Sequence, residues 1–131
     1  MKVINTVGMR KKSVARAVIK EGNGIIRINS KPLENIEPEM ARMKIEEPLI
    51  LSGDTSKKYN ISVSVFGGGV ISQAEAARLA IAKALVAKNA KLKDEFLKYD
   101  RTLLIADVRQ REARKPNTHG NARGKVQKSY R

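Results

Sequence analysis

The chain has 131 residues, no cysteine, and 27 Lys and Arg against 13 Asp and Glu, a formal charge of +14. That length suits one domain whose core folds without metals or disulfides, and the missing thiol excludes a cysteine nucleophile, a disulfide framework and thiolate zinc sites. No run approaches the roughly 18 apolar residues of a membrane span. The opening MKVINTVGMRKK lacks the continuous apolar stretch of a secretory leader, so a soluble intracellular protein is expected.

Residues 3–7 form a short β-prone run ending at Gly8. Residues 13–19 (SVARAVI) and 25–29 (IIRIN) flank Gly22, Asn23 and Gly24, a pattern that predicts a hairpin. With Ala15, Ala17 and Ile19 turned to the core, Lys12, Arg16 and Lys20 project from the opposite face as a spaced row that could read phosphates. Pro38 suits the first position of a helix running to Glu47, and Pro48 discourages its continuation. Met40 and Met43, three apart, are expected to fill the core. Gly53, Asp54 and Thr55 mark a turn. Residues 61–66 alternate Ile61, Val63 and Val65 with Ser62 and Ser64, the pattern of a strand with one polar face.

The strongest helix signal follows. Ser72 and Glu75 fit a capping box, and Ala74, Ala77, Ile81, Ala84 and Leu85 recur at helical spacing as far as about Lys88, with Leu79 and Val86 suggesting a second buried flank. The alanines permit close approach to a sheet. A shorter helix over 91–99 presents Leu92 and Phe96 four apart, and residues 103–106 form a last apolar strand candidate. The expected fold is a two-layer α+β domain over residues 1–108, with helices on one face of a small mixed sheet, followed by an extended basic tail over 109–131.

Charge is segregated along this plan. Residues 1–20 carry +6, residues 21–108 only +1, and residues 109–131 carry +7, with Glu112 the single acid of that last segment. The tail is too poor in apolar groups to offset the entropy of ordering its backbone, so it needs a polyanion to hold it. Nucleic acid is the expected partner. A membrane surface is a poorer fit, because the tail lacks the large apolar residues of an amphipathic anchor. Pro116, Gly120 and Gly124 oppose a continuous helix, and the residues from Arg114 onward could reach roughly 60 Å when extended.

Catalysis and cofactor binding have little to stand on. Gly67, Gly68 and Gly69 lie between a strand and a helix, where amides attract anions. The sequence FGGGVIS nevertheless has neither the spacing nor the lysine of nucleotide loops. A nucleotide-dependent enzyme built on this loop is therefore a remote alternative, and a turn bringing backbone close to backbone or to an RNA phosphate is expected instead. His119, the single histidine, lies in the tail with nothing to hold it in a triad or metal shell. No enzyme activity, cofactor or metal is expected.

Four blocks carry a resemblance: VGMRKKSVARAVIKEGNGIIRIN, FGGGVISQAEAARLAIAKAL, YDRTLLIAD and QKSYR. In this order they resemble the family of the ninth protein of the small ribosomal subunit, and the last two are similar to its archaeal and eukaryotic branch, with the short length favouring the archaeal side. Ser72 stands where many bacterial members have glycine. The resemblance implies a β-α fold with a left-handed crossover, shared with the second domain of the fifth small-subunit protein. It further implies binding to ribosomal RNA in the subunit head, beside neighbouring head proteins, and a tail reaching the anticodon stem-loop of peptidyl-site transfer RNA. The expected ribosomal-RNA contacts are Arg10, Lys11, Lys12 and Arg16, then Gly67, Gly68, Gly69 and Arg78, then Arg109, Arg111, Arg114, Lys115, Arg123 and Lys125. Lys128, Ser129, Tyr130 and Arg131 are the expected transfer-RNA contacts. A free-standing RNA- or DNA-binding factor is the alternative within binding proteins.

Overall fold

A computed structural model describes residues 3–36, 38–100 and 103–104. Strands β1 (Ile4–Arg10), β2 (Ser13–Glu21), β3 (Ile26–Ile28), β4 (Lys31–Pro32) and β5 (Tyr59–Phe66) form one five-stranded sheet in the order β1-β2-β5-β3-β4. The sheet is mixed: β3 runs parallel to β5, and the other neighbours are antiparallel. Helices α1 (Glu39–Ser52), α2 (Val70–Lys88) and α3 (Leu92–Tyr99) complete the described α+β domain.

Strand alternation sets the two faces as expected. Ala15, Ala17, Ile19, Ile61, Val63 and Val65 are buried, while Arg16, Lys20, Ser62 and Ser64 are exposed. Small residues let α2 lie close to the inner face: Ala76, Ala77, Ala80 and Ala84 are fully buried, and the Thr6 hydroxyl donates to the Ala80 carbonyl at 2.7 Å. At Gly8 any side chain would run into the Ala76 carbonyl and the Ala80 amide, so β1 and α2 pack backbone against backbone. Leu79, Leu92 and Phe96 are buried and Val86 is half-buried, as the spacing predicts.

The hairpin across Gly22, Asn23 and Gly24 does not form. Strands β2 and β3 do run antiparallel, but β5 lies between them. The connection gives its hydrogen bonds to the start of β5: the Asn60 side-chain oxygen accepts from the amides of Asn23 and Ile25, both at 3.0 Å, and the Gly22 amide donates to the Lys58 carbonyl at 2.9 Å. Turn chemistry is local, and a strand inserted from 35 residues downstream leaves no trace in it. On the other side of β5, Asn29 continues the pairing beyond β3: its side-chain oxygen accepts from the Val65 amide at 2.8 Å and its side-chain amide donates to the Val65 carbonyl at 3.1 Å.

Further expectations are corrected. Helix α1 does not stop at Glu47 but runs through Pro48, which is buried inside it, while Pro38 serves as its N-cap. The proline forfeits one helical hydrogen bond, yet its ring completes the inward face made by Ala41, Ile45 and Ser52. That face turns Met40 and Met43 outward, 64% and 57% exposed, so neither fills the core. Helix α2 begins at Val70 with Gly69 as its N-cap and no side-chain capping bond, so the capping box at Ser72 does not form. Glu75 turns instead to two basic residues. Of the last strand candidate, Leu103 is buried in a helical turn whose amide donates to the Asp100 carbonyl at 3.1 Å, and residues 105–106 lie outside the described residues.

Candidate nucleic-acid interface

Two stretches distant in sequence meet at one corner. Strands β1 and β2 are joined through Lys11 and Lys12, and Lys11 takes φ +54°, in the left-handed region. Gly67 and Gly68, after β5, also have positive φ (79° and 61°), and a side chain there would collide with the Lys12 carbonyl or the Ser13 hydroxyl. The buried Ser13 hydroxyl donates to the Gly67 carbonyl at 2.9 Å, and the Gln73 side-chain amide donates to the same oxygen at 3.0 Å. The glycine loop is thus held against the basic turn, with exposed Lys11 and Lys12 beside the N-terminus of α2. Amides at that terminus lack intrahelical partners and carry the positive end of the helix dipole. Lysines, glycine backbone and helix start converge on a site suited to a phosphate.

The open face of the sheet extends this corner. Cross-strand register sets Arg16 between Val7 and Ser64, Lys20 beside Asn60, and Arg27 beside Ser62. Directly opposed residues share a face, so Arg16, Lys20 and Arg27 point the same way. Among the described residues, the strand positions on this face include no carboxylate, and none pairs with Lys11, Lys12 or Arg16. A second row places Met9 across from Val14 and Val14 across from Phe66, which is 53% exposed. The chain has only two phenylalanines, and this one lies on the cationic face, where an aromatic ring can stack on a base or ribose.

Two arginines expected at RNA are engaged within the fold. Arg10 donates through Nε to Glu75 Oε2 at 2.6 Å, while Lys44 reaches Glu75 Oε1 at 3.2 Å. Burial alone would raise the Glu75 pKa, but the hydrogen bonds and charges of Arg10 and Lys44 prevail and hold it below the ordinary carboxylate value. Arg78, on α2, has Nη2 at 2.6 Å from Glu47 Oε2 and 3.1 Å from Asp100 Oδ2, with only 12% of its side chain exposed. It ties α2 to α1 and to the end of α3.

The structure therefore brings Lys11 and Lys12 to Gly67, Gly68 and Gly69, sets Arg16 on the adjoining face, and places Arg10 and Arg78 behind it. Arg109, Arg111, Arg114, Lys115, Arg123, Lys125, Lys128, Ser129, Tyr130 and Arg131 lie outside the described residues. Sequence reasoning missed Arg27 and Phe66. Both were within its reach: Ile26 and Ile28 inward put Arg27 outward, and the parity that buries Ile61, Val63 and Val65 expels Phe66.

A mixed sheet backed by helices and presenting an acid-free cationic face is a domain suited to a polyanionic partner. Comparison with known proteins is specific. The family model described as ribosomal protein S9/S16 matches residues 8–131. Two proteins named small ribosomal subunit protein uS9 align over the whole of both chains, one from Methanococcus maripaludis at 49% identity and one from Methanococcus vannielii at 48%. The chain belongs to the ribosomal protein S9/S16 family, a structural and non-enzymatic class for which RNA binding is general.

Proposed function

We propose that this chain is a structural constituent of the small ribosomal subunit. In this reading it binds small-subunit ribosomal RNA in the head and extends residues 109–131 toward the anticodon stem-loop of peptidyl-site transfer RNA. The observation that carries the RNA-binding part is the acid-free sheet face joined to the Lys11–Lys12 corner, in a family of ribosomal proteins. Lys11 and Lys12 act as point charges on phosphates brought together by RNA folding, and Arg16 and Arg27 offer planar forks to phosphate oxygens. Phe66 adds a stacking surface, and the glycine loop lets the RNA backbone approach closely. Arg10 and Arg78 work from behind, fixing α2 and the corner it supports. The connection from β3 through α1 to β5 is read as the left-handed crossover that the resemblance implies.

The tail is read as two parts. Arg109, Arg111, Arg114, Lys115, Arg123 and Lys125 tether it along ribosomal RNA, ordering it on contact at a cost in chain entropy. Lys128, Ser129, Tyr130 and Arg131 are the part read as meeting transfer RNA, with the Arg131 guanidinium offered to a phosphate. Neighbouring head proteins complete the site. No described helix is long and apolar enough to cross a membrane, and the place of work is the ribosome.

Deleting residues 128–131 tests this division. The expected result is normal folding and normal incorporation into 30S-type particles at high salt, with weaker transfer-RNA occupancy of the peptidyl site. Failure of the parent chain to cofractionate with those particles at high salt would favour a free-standing RNA- or DNA-binding factor. Unchanged occupancy would remove the role given to the tip.

A further inference from the structure

The outer side of α1 has the opposite chemistry to the sheet face. Residues 34–54 carry six acids and two bases, net −4 in a chain of net +14. Glu39, Met43, Glu46 and Ile50, spaced four, three and four apart, share one side of α1, because a helix turns once in 3.6 residues. Ile50 is 74% exposed and Met43 more than half exposed. Arg42 lies 3.6 Å from Glu39 and 3.8 Å from Glu46, ion pairs too long and too exposed to silence either carboxylate.

Beside this stripe runs a groove of about 690 Å³ between α1 and the β3–β4 edge of the sheet. Ile25, Leu33 and Ile50 supply apolar lining, and Glu34, Glu46 and Asp54 supply carboxylates. Among the described residues the one base in the lining, Lys57, pairs loosely with Asp54 at 3.7 Å. A groove that mixes exposed apolar groups with carboxylates repels a phosphate backbone. It complements a polypeptide segment that alternates basic and apolar residues, whose ammonium groups meet the carboxylates while its aliphatic side chains cover Ile25, Leu33 and Ile50.

We propose that the α1 stripe and this groove are a docking site for a basic, amphipathic polypeptide segment of a partner protein. The site lies apart from the RNA-facing corner and has the reverse charge, so one small domain can hold RNA on one side and a basic protein segment on another. The chemistry of this surface carries the proposal without the ribosomal reading, so failure of either leaves the other standing.

The test uses the full chain and a fluorescently labelled peptide of alternating lysine and leucine, read by anisotropy and by amide NMR shifts. Because the whole molecule is strongly positive, diffuse attraction of a cationic peptide is disfavoured and binding must be local. The expected result is saturable binding that perturbs Glu46, Ile50 and Asp54 and weakens at high salt. Double reversal, Glu34→Lys with Asp54→Lys, should weaken it about tenfold, and Ile50→Ser should weaken it separately. All three positions are exposed and tolerate change, and far-UV circular dichroism checks that each variant folds. The proposal is overturned by absence of saturable binding, by binding indifferent to these substitutions, by perturbation of the groove on adding a structured RNA, or by self-association of the chain through the groove.

Discussion

The open face of the sheet and the outer side of α1 are built from the same material to opposite ends. Each mixes exposed apolar residues with one sign of charge: Val7, Met9 and Phe66 among Arg16, Lys20 and Arg27 on the sheet, Met43 and Ile50 among Glu39 and Glu46 on the helix. Net charge alone would describe the molecule as uniformly basic. The separation shows that its charge is directional, and direction decides which partner meets which side.

The largest expected effect tests that separation directly. Replacing Lys11, Lys12 and Arg16 together by glutamate should reduce affinity for small-subunit ribosomal RNA about a thousandfold at low salt, near tenfold for each phosphate no longer neutralised. The slope of log affinity against log salt should become shallower by about three. Reversing Glu39 and Glu46 to lysine should leave RNA affinity within about twofold, because those residues face elsewhere. Equal responses from the two sets, measured by filter binding across a salt series, would abolish the distinction.

What could be read without coordinates follows the range of the forces involved. Strand alternation and helical spacing are local, and they correctly gave the inward faces of β2, β5, α2 and α3. The basic turn and the glycine loop were each visible as motifs, but their meeting through Ser13 and Gly67 depends on a contact between residues 54 apart. The insertion of β5 between β2 and β3 failed for the same reason. Pro48 and the outward turn of Met40 and Met43 failed for another: tertiary burial of one face of α1 outweighed proline's local preference. Phe66 was legible from parity alone: the alternation that buries Ile61, Val63 and Val65 turns residue 66 outward.

The joint at the cationic corner gives the next effect. Gly68→Val places a branched side chain at φ +61° and against the Ser13 hydroxyl, which should cost about 3 kcal/mol of stability. The loss should be measurable as a lower urea midpoint with an unchanged slope. RNA affinity of the fraction that stays folded should fall as well, since the loop can no longer seat against Lys12. If stability falls while RNA binding is untouched, the glycine loop serves the fold and not the interface.

The smallest effect probes the residue that links the two regions. Glu75 accepts from Arg10 of the cationic corner and from Lys44 of α1, and its folded pKa is lowered from the ordinary 4.5. The unfolded chain titrates it near that ordinary value, so the folded state favours the charged form. This contribution is complete above about pH 4.5 and is lost as pH falls through the lower folded value. Glu75→Gln should therefore cost about 1 kcal/mol near neutrality. Its difference from the parent should shrink toward zero on the acid side of that window in urea titrations. The same substitution loosens the tie between β1 and α2 behind the cationic corner, so RNA affinity should fall slightly, by about twofold or less at neutral pH. A variant that loses stability but gains RNA affinity would mean that Glu75 competes with RNA for Arg10, and that Arg10 belongs to the interface and not to its support.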